Sequence, residues 1–148
     1  MIEPFQLHVG DDVLDDLRGR LARTRLPDEA DDAGWDYGTN RAFLSELVAY
    51  WRDGFDWRAA ETRLNEYPQF RTVVDGDPIH FVHITGSRSG RPALVLTHGW
   101  PSTFTELLPL VPLLRDDFDL VIPALPGFGF STPLTRRGRG ASTTGGRS

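Results

Sequence analysis

The segment Ala93-Leu-Val-Leu-Thr-His-Gly-Trp-Pro-Ser102 constrains this chain most, because an apolar run of strand length passes directly into Gly and Pro and then into a stretch able to start a helix. That order predicts a strand, a tight turn and a helix start. Backbone N–H groups at such a turn can point at developing negative charge, which is how half of an oxyanion hole is built. His98-Gly99-Trp100-Pro101 (HGWP) is therefore the first candidate site. An ordinary strand-to-loop transition, with His98 capping the strand through its side chain, fits the tetrapeptide as well, so taken alone it leaves both readings open.

A second apolar run, Phe118-Asp-Leu-Val-Ile-Pro123, leads into Ala124-Leu-Pro-Gly-Phe-Gly-Phe-Ser131. Its two alternate glycines suit a sharp backbone course beneath a ligand pocket. Between the runs, Phe104, Leu107, Leu108 and Val111 have helical spacing, while Pro109 and Pro112 oppose one clean helix. A short helix from Ser102 to about Leu108 with a break after it is expected. Strand, helix and strand, both strands apolar, predict a βαβ unit in a largely parallel sheet. Ligand sites in such sheets lie beyond the carboxyl ends of the strands, where both glycine motifs fall.

Upstream, Val13, Leu14, Leu17 and Leu21 form one stripe of a helix over Asp11 to Arg25, with acids at its start and Arg at its end. A second helix spans Asn40 to Arg52, with Phe43, Leu44, Leu47, Val48 and Trp51 on a single face and Gly54 closing it. A third starts at Asp56, its N-cap, and ends near Tyr67-Pro68. Phe70 to Val74 and Ile79 to Thr85 then read as an antiparallel hairpin across Asp75-Gly76-Asp77-Pro78.

The absence of cysteine excludes disulfides and thiolate chemistry, and leaves metal binding to four histidines and the carboxylates. His80 and His83 are three apart in a strand and point to opposite faces, so they cannot share a metal; they read as packed or edge groups, not catalysts. No metal and no cofactor are expected. The N-terminus lacks a basic start and a long apolar core, which makes a cytoplasmic location and no membrane partner the expectation. All basic residues are Arg: residues 1–134 hold twelve against twenty-one acids, and residues 135–148 hold four with no acid. The tail buries nothing that offsets the ~1–2 kcal/mol per residue of ordering its backbone, so it is expected to be disordered.

Several fragments together carry a family resemblance: Trp35-Asp-Tyr-Gly38, Tyr50-Trp-Arg-Asp-Gly-Phe-Asp-Trp-Arg58, Leu64-Asn65, Pro68-Gln-Phe70, Ile79-His-Phe-Val-His83, His98-Gly-Trp-Pro101 and Leu125-Pro-Gly-Phe-Gly-Phe-Ser131. In this order they resemble the N-terminal part of a bacterial epoxide hydrolase of the microsomal type, in the α/β-hydrolase superfamily. Ser102 departs from the glycine many members carry after the Trp-Pro pair. Trp100 sets the chain apart from lipases and esterases with several glycines after the histidine, and from haloalkane dehalogenases, which place a halide-binding Asn there.

The resemblance implies an α/β fold: an N-terminal helical region over residues 1–68, the first strands of an α/β-hydrolase sheet over 69–133, and a disordered Arg/Gly/Ser/Thr tail over 134–148. It implies hydrolysis of an epoxide to a vicinal diol. An aspartate at a Gly-Gly-Asp-Trp-Gly type elbow attacks an epoxide carbon while two cap-domain tyrosines bind the epoxide oxygen; water activated by a His paired with an acid then opens the ester. The Trp100 N–H would be one of two oxyanion donors, its indole a pocket wall, and Pro101 would follow a cis peptide bond. Phe128 would lie near the substrate channel or pack under the loop.

The nucleophile, acid and base of that pattern have no counterpart in residues 1–148, and His98 belongs to the oxyanion motif, not to the general base. A truncated, inactive epoxide hydrolase is the expectation, with a small-molecule epoxide as the family's substrate. Two other readings stand beside it. One is half of a split enzyme, restored by a complementing C-terminal chain, with self-association of the lone half. The other is a non-enzymatic binder whose basic tail meets nucleic acid; against it stand the lack of interleaved aromatics and the acidic body, so no nucleic-acid partner is expected.

Overall fold

A computed structural model of the 148-residue chain describes residues 1–86 and 90–135. They divide into two units, residues 7–64 and residues 1–6 together with those from 65 onward. The remainder of the basic tail, residues 136–148, lies outside the described residues, and with it the expectation of disorder.

The first unit is helical. Helix α1, Asp11–Ala22, has Asp11 and Asp12 in its first turn, Arg20 in its last, and buries Leu14 and Leu21. Val13, counted with that stripe from the sequence, is 55% exposed. Helix α2, Arg41–Ala49, starts where Asn40 Oδ1 accepts the Phe43 N–H at 3.0 Å. It then loosens into a π-helical turn, Tyr50–Gly54, in which the Phe55 N–H reaches the Tyr50 carbonyl at 2.9 Å. A Cβ at position 54 would stand 2.8 Å from Tyr50 Cδ2, which accounts for glycine there. The α2 stripe does not form a core: the helix buries no residue, and Phe43, Leu47 and Trp51 are all exposed. Helical periodicity names a face without naming what covers it.

Helix α3, Trp57–Leu64, begins at Asp56, whose Oδ1 accepts the Ala59 N–H at 2.9 Å. It carries the buried Glu61, whose carboxylate accepts the Val9 N–H and the Trp57 indole N–H, both at 2.9 Å, and the Arg58 guanidinium at 3.0 Å. The Val9 amide, then Trp57 and Arg58, hold its pKa below the usual carboxylate range against the opposing effect of burial. Arg58 also pairs with Asp11, so one guanidinium ties the start of α1 to α3.

The second unit is built on a five-stranded sheet of order β1-β2-β3-β5-β4. Its strands are β1 (Glu3–Phe5), β2 (Gln69–Val74), β3 (Asp77–Ile84), β4 (Ala93–Val95) and β5 (Asp119–Pro123). The hairpin β2–β3 turns on Asp75 and Gly76 alone, with φ of 53° and 97°. Positive φ at both central residues is the mirror-image turn that matches strand twist. Strand β1, which sequence periodicity does not reveal, pairs antiparallel with β2, so residues 3–5 belong to the sheet and not to the helical region.

Only β4 and β5 are parallel; the other three pairings are antiparallel, so the largely parallel sheet expected from the sequence is not what these strands form. Between β4 and β5 the chain makes a 3₁₀ helix, Phe104–Leu110, then the one-turn helix α4, Val111–Leu114. Pro109 and Pro112 remove amide donors and hold this segment to short pieces. Val82, Leu120, Ile122, Ala124 and Phe104 are at most 1% exposed and form the centre of this unit's core.

Candidate functional site

The HGWP loop leaves the carboxyl end of β4, and the Leu125–Ser131 loop leaves that of its parallel neighbour β5. Residues 99–102 close a four-residue turn in which the Ser102 N–H reaches the Gly99 carbonyl at 2.9 Å, with the Trp100–Pro101 peptide cis. A cis proline at the third position defines a type VI turn. Among the described residues the Trp100 N–H has no hydrogen-bond partner. The Trp100 side chain is 84% exposed and makes no ring contact among them.

His98 is buried and reaches across to the second loop. Its Nε2 accepts the Leu125 N–H at 3.1 Å, its Nδ1 lies 3.2 Å from the Gly99 carbonyl, and its ring packs edge-on to Phe128 at 5.3 Å. His98 and Phe128 are thus brought together, while Trp100 stands apart from both. Phe128 is half-buried, with its ring against the imidazole. Sequence reasoning missed Leu125 as the partner of His98, since no local spacing marks an amide twenty-seven residues away.

The loop between Leu125 and Ser131 bends at Gly127 and Gly129, with φ of 81° and 52°, as its alternate glycines suggest. It is closed by the Gly127 N–H on the Thr132 carbonyl at 3.0 Å and the Phe128 N–H on the Leu125 carbonyl at 2.9 Å. Beneath it lies His80, fully buried among Phe5, Phe104 and Phe130. Burial, and secondarily the charge of Arg71, push its pKa down to about 4. The buried Ser131 hydroxyl accepts the His80 N–H at 2.9 Å and donates to the Ala124 carbonyl at 2.7 Å, pinning the loop's far end to β3. Thr135, the first residue of the basic tail, is held to Asp77 by both its amide and its hydroxyl.

No group of three or more His, Asp or Glu side chains that could hold a metal ion occurs among the described residues. No helix among them is long and apolar enough to cross a membrane.

Known proteins are similar to this chain in sequence and fold. A putative epoxide hydrolase of Stigmatella aurantiaca is 42% identical over 93% of the chain and 33% of its own length. Epoxide hydrolase 1 of Sus scrofa is 36% identical over 93% of the chain and 33% of its own. The solved epoxide hydrolase of Aspergillus niger superimposes with a TM-score of 0.82 at 33% identity, covering 92% of this chain and 38% of that one. The chain thus spans about a third of the length of the curated relatives it matches, and its architecture is that of the N-terminal portion of α/β-hydrolase epoxide hydrolases. Residues 2–107 match the family described as epoxide hydrolase N terminus, and to that family the chain belongs.

Proposed function

We infer that residues 1–148 supply the oxyanion loop of an epoxide hydrolase site, with the Trp100 backbone N–H as one donor to the oxyanion formed when the aspartyl ester is hydrolysed. The observation that carries this reading is the Trp100 amide, unpartnered among the described residues, on a tight turn at the end of β4, beside the loop that follows the parallel strand β5. A donor already free of other partners costs no reorganisation when charge develops. The substrate class is a small epoxide and the product a vicinal diol. The nucleophile, the acid and the base come from polypeptide outside these residues, so residues 1–148 alone open no epoxide.

A complementing chain is the second reading, favoured by the outer edge of β4, which is unpaired among the described residues. A strand from another polypeptide can add there, as edges template pairing.

The test uses residues 1–148 alone, and residues 1–133 fused to the C-terminal two-thirds of the Stigmatella aurantiaca relative, each with styrene oxide and stilbene oxide. The expected result is no diol from the former and diol from the latter. Trp100→Ala keeps the amide and should retain most of kcat; Trp100→Pro removes it and should cost on the order of 10²–10³ in kcat, as for loss of one oxyanion donor. Diol from residues 1–148 alone contradicts an external nucleophile, and equal activity of the two variants contradicts the donor role. Diol from unfused residues 1–148 mixed with a separate C-terminal fragment favours the complementing chain.

A further inference from the structure

The two loops that follow β4 and β5 are joined through one imidazole, and its partners dictate its charge. The Leu125 N–H can only donate and the Gly99 carbonyl can only accept, so His98 is neutral, with its hydrogen on Nδ1 and a lone pair on Nε2. A second proton on Nε2 would set N–H against N–H, abolish the link to Leu125 and place a cation on a ring that is 6% exposed and packed against Phe128.

We propose that His98 is a proton-operated latch between the HGWP turn and the Leu125–Ser131 loop: neutral, it holds Leu125 and Phe128 in register with Trp100 and Pro101; protonated, it lets the near end of the loop go. His98 is in this role a positioning residue. The latch does not depend on the Trp100 amide being an oxyanion donor, because it concerns only which two loops are tied together and when.

Among the described residues no charged group offsets the added proton. Residues 93–105 and 120–135 contain no Asp, Glu or Arg. On the elements packed around them, Glu106 of the 3₁₀ helix takes the Ser102 hydroxyl at 2.5 Å, Asp119 of β5 takes the Gly86 N–H at 2.7 Å, and Arg71 of β2 reaches the Phe130 carbonyl at 3.2 Å. None of them pairs with His98. His80 sits under the far end of the loop, its ring 5.3 Å from that of Phe130. That end is fastened by groups that do not titrate, the Ser131 hydroxyl and the Thr132 N–H on the Pro78 carbonyl at 3.2 Å, so release is confined to the Leu125 end.

The experiment follows the ring nitrogens of His98 and the exchange of the Leu125 amide by nitrogen-15 spectroscopy on the 148-residue chain, from pH 7.5 to 5, with exchange corrected for its intrinsic pH dependence. At pH 7.5 the Nδ1–H tautomer is expected. As the ring takes its second proton, protection of Leu125 should fall about tenfold, the factor a single lost hydrogen bond is worth, while Val82 and Ile122 stay protected. His98→Gln offers a carboxamide that takes no proton and should remove the pH dependence; His98→Ala should leave Leu125 unprotected at both ends of the range. The Nε2–H tautomer at pH 7.5, or a ring midpoint that does not coincide with the loss at Leu125, overturns the latch. So does parallel loss at Val82 and Ile122, which would mark unfolding of the sheet in place of loop release.

Discussion

The His80 Nε2 and the Gln69 Oε1 stand 2.8 Å apart on neighbouring strands, inside a box of Phe5, Phe104 and Phe130. The amide oxygen takes the ring's one hydrogen, and Nδ1 is left as a buried lone pair without a partner among the described residues. Such a site fits a neutral imidazole and rejects an imidazolium, which would need a second acceptor at Nδ1, where none stands among the described residues.

Acid should therefore loosen the sheet unit before its carboxylates are protonated. The folded-state pKa of His80, about 4, lies below its ordinary 6.5, so the unfolded chain binds the proton more readily. The stability this neutrality confers is complete above 6.5 and is lost as pH falls from 6.5 towards 4, by about 3 kcal/mol for a shift of that size. Urea midpoints measured at intervals across that window should fall steeply for the wild type and much less for His80→Leu. Equal slopes in the two proteins would remove His80 as the cause.

Ser131→Ala should destabilise by ~1–3 kcal/mol, because it strands the His80 N–H, which the hydroxyl now accepts in a buried position. Denaturant titration reads the loss. A change within a few tenths of a kcal/mol would mean that water or another acceptor replaces the hydroxyl.

At Gly129, φ is 52° and a Cβ would meet Phe104 Cε1 at 3.2 Å, against a phenyl group only 1% exposed. Gly129→Ala should cost ~1–3 kcal/mol through left-handed backbone strain and displacement of Phe104. A thermal midpoint equal to that of the wild type would show that Phe104 moves aside freely.

In the helical unit, Glu61→Gln turns an acceptor of three donors into a group that also donates, and it discards the pairing with Arg58. Far-ultraviolet circular dichroism should show a lower melting temperature than for Asp11→Asn, which removes only the exposed partner of Arg58. The reverse order would place the anchor at Asp11.

What the sequence made legible follows from which interactions are local. Asp75-Gly76-Asp77-Pro78 announced the hairpin, but only Asp75 and Gly76 make the turn, with positive φ at both, while Asp77 and Pro78 already pair in β3. Asp56 announced its helix through a cap three residues long, whereas the cap at Asn40 shows only in the structure. Gly127 and Gly129 likewise signalled the bent loop. Strand β1 gave no such sign: it is three residues with Pro4 in the middle, tolerated because β1 lies at the sheet's edge. The apolar Ala93-Leu-Val95 read as a buried parallel strand, yet Ala93 and Val95 are exposed, because apolar content reports what a strand could bury and not what lies against it. At the site, the HGWP turn was visible in four residues, whereas the bond from Leu125 to His98 depends on two loops meeting in space.

The exposed edge carries the last expectation. Strand β4 pairs with β5 on one side, and its other side is open among the described residues, with Val95 59% exposed. Such an edge offers unpaired N–H and C=O groups to any strand of matching length, and natural edges are commonly blunted with Lys. This one has none. Sedimentation of the 148-residue chain over a wide concentration range should show association that grows with concentration, and Val95→Lys should weaken it by placing a charge on the strand without removing a buried side chain. Sharp, reversible melting of a monomer at all concentrations, unchanged by Val95→Lys, would mean that the edge is covered in solution and that self-association is not how this polypeptide deals with it.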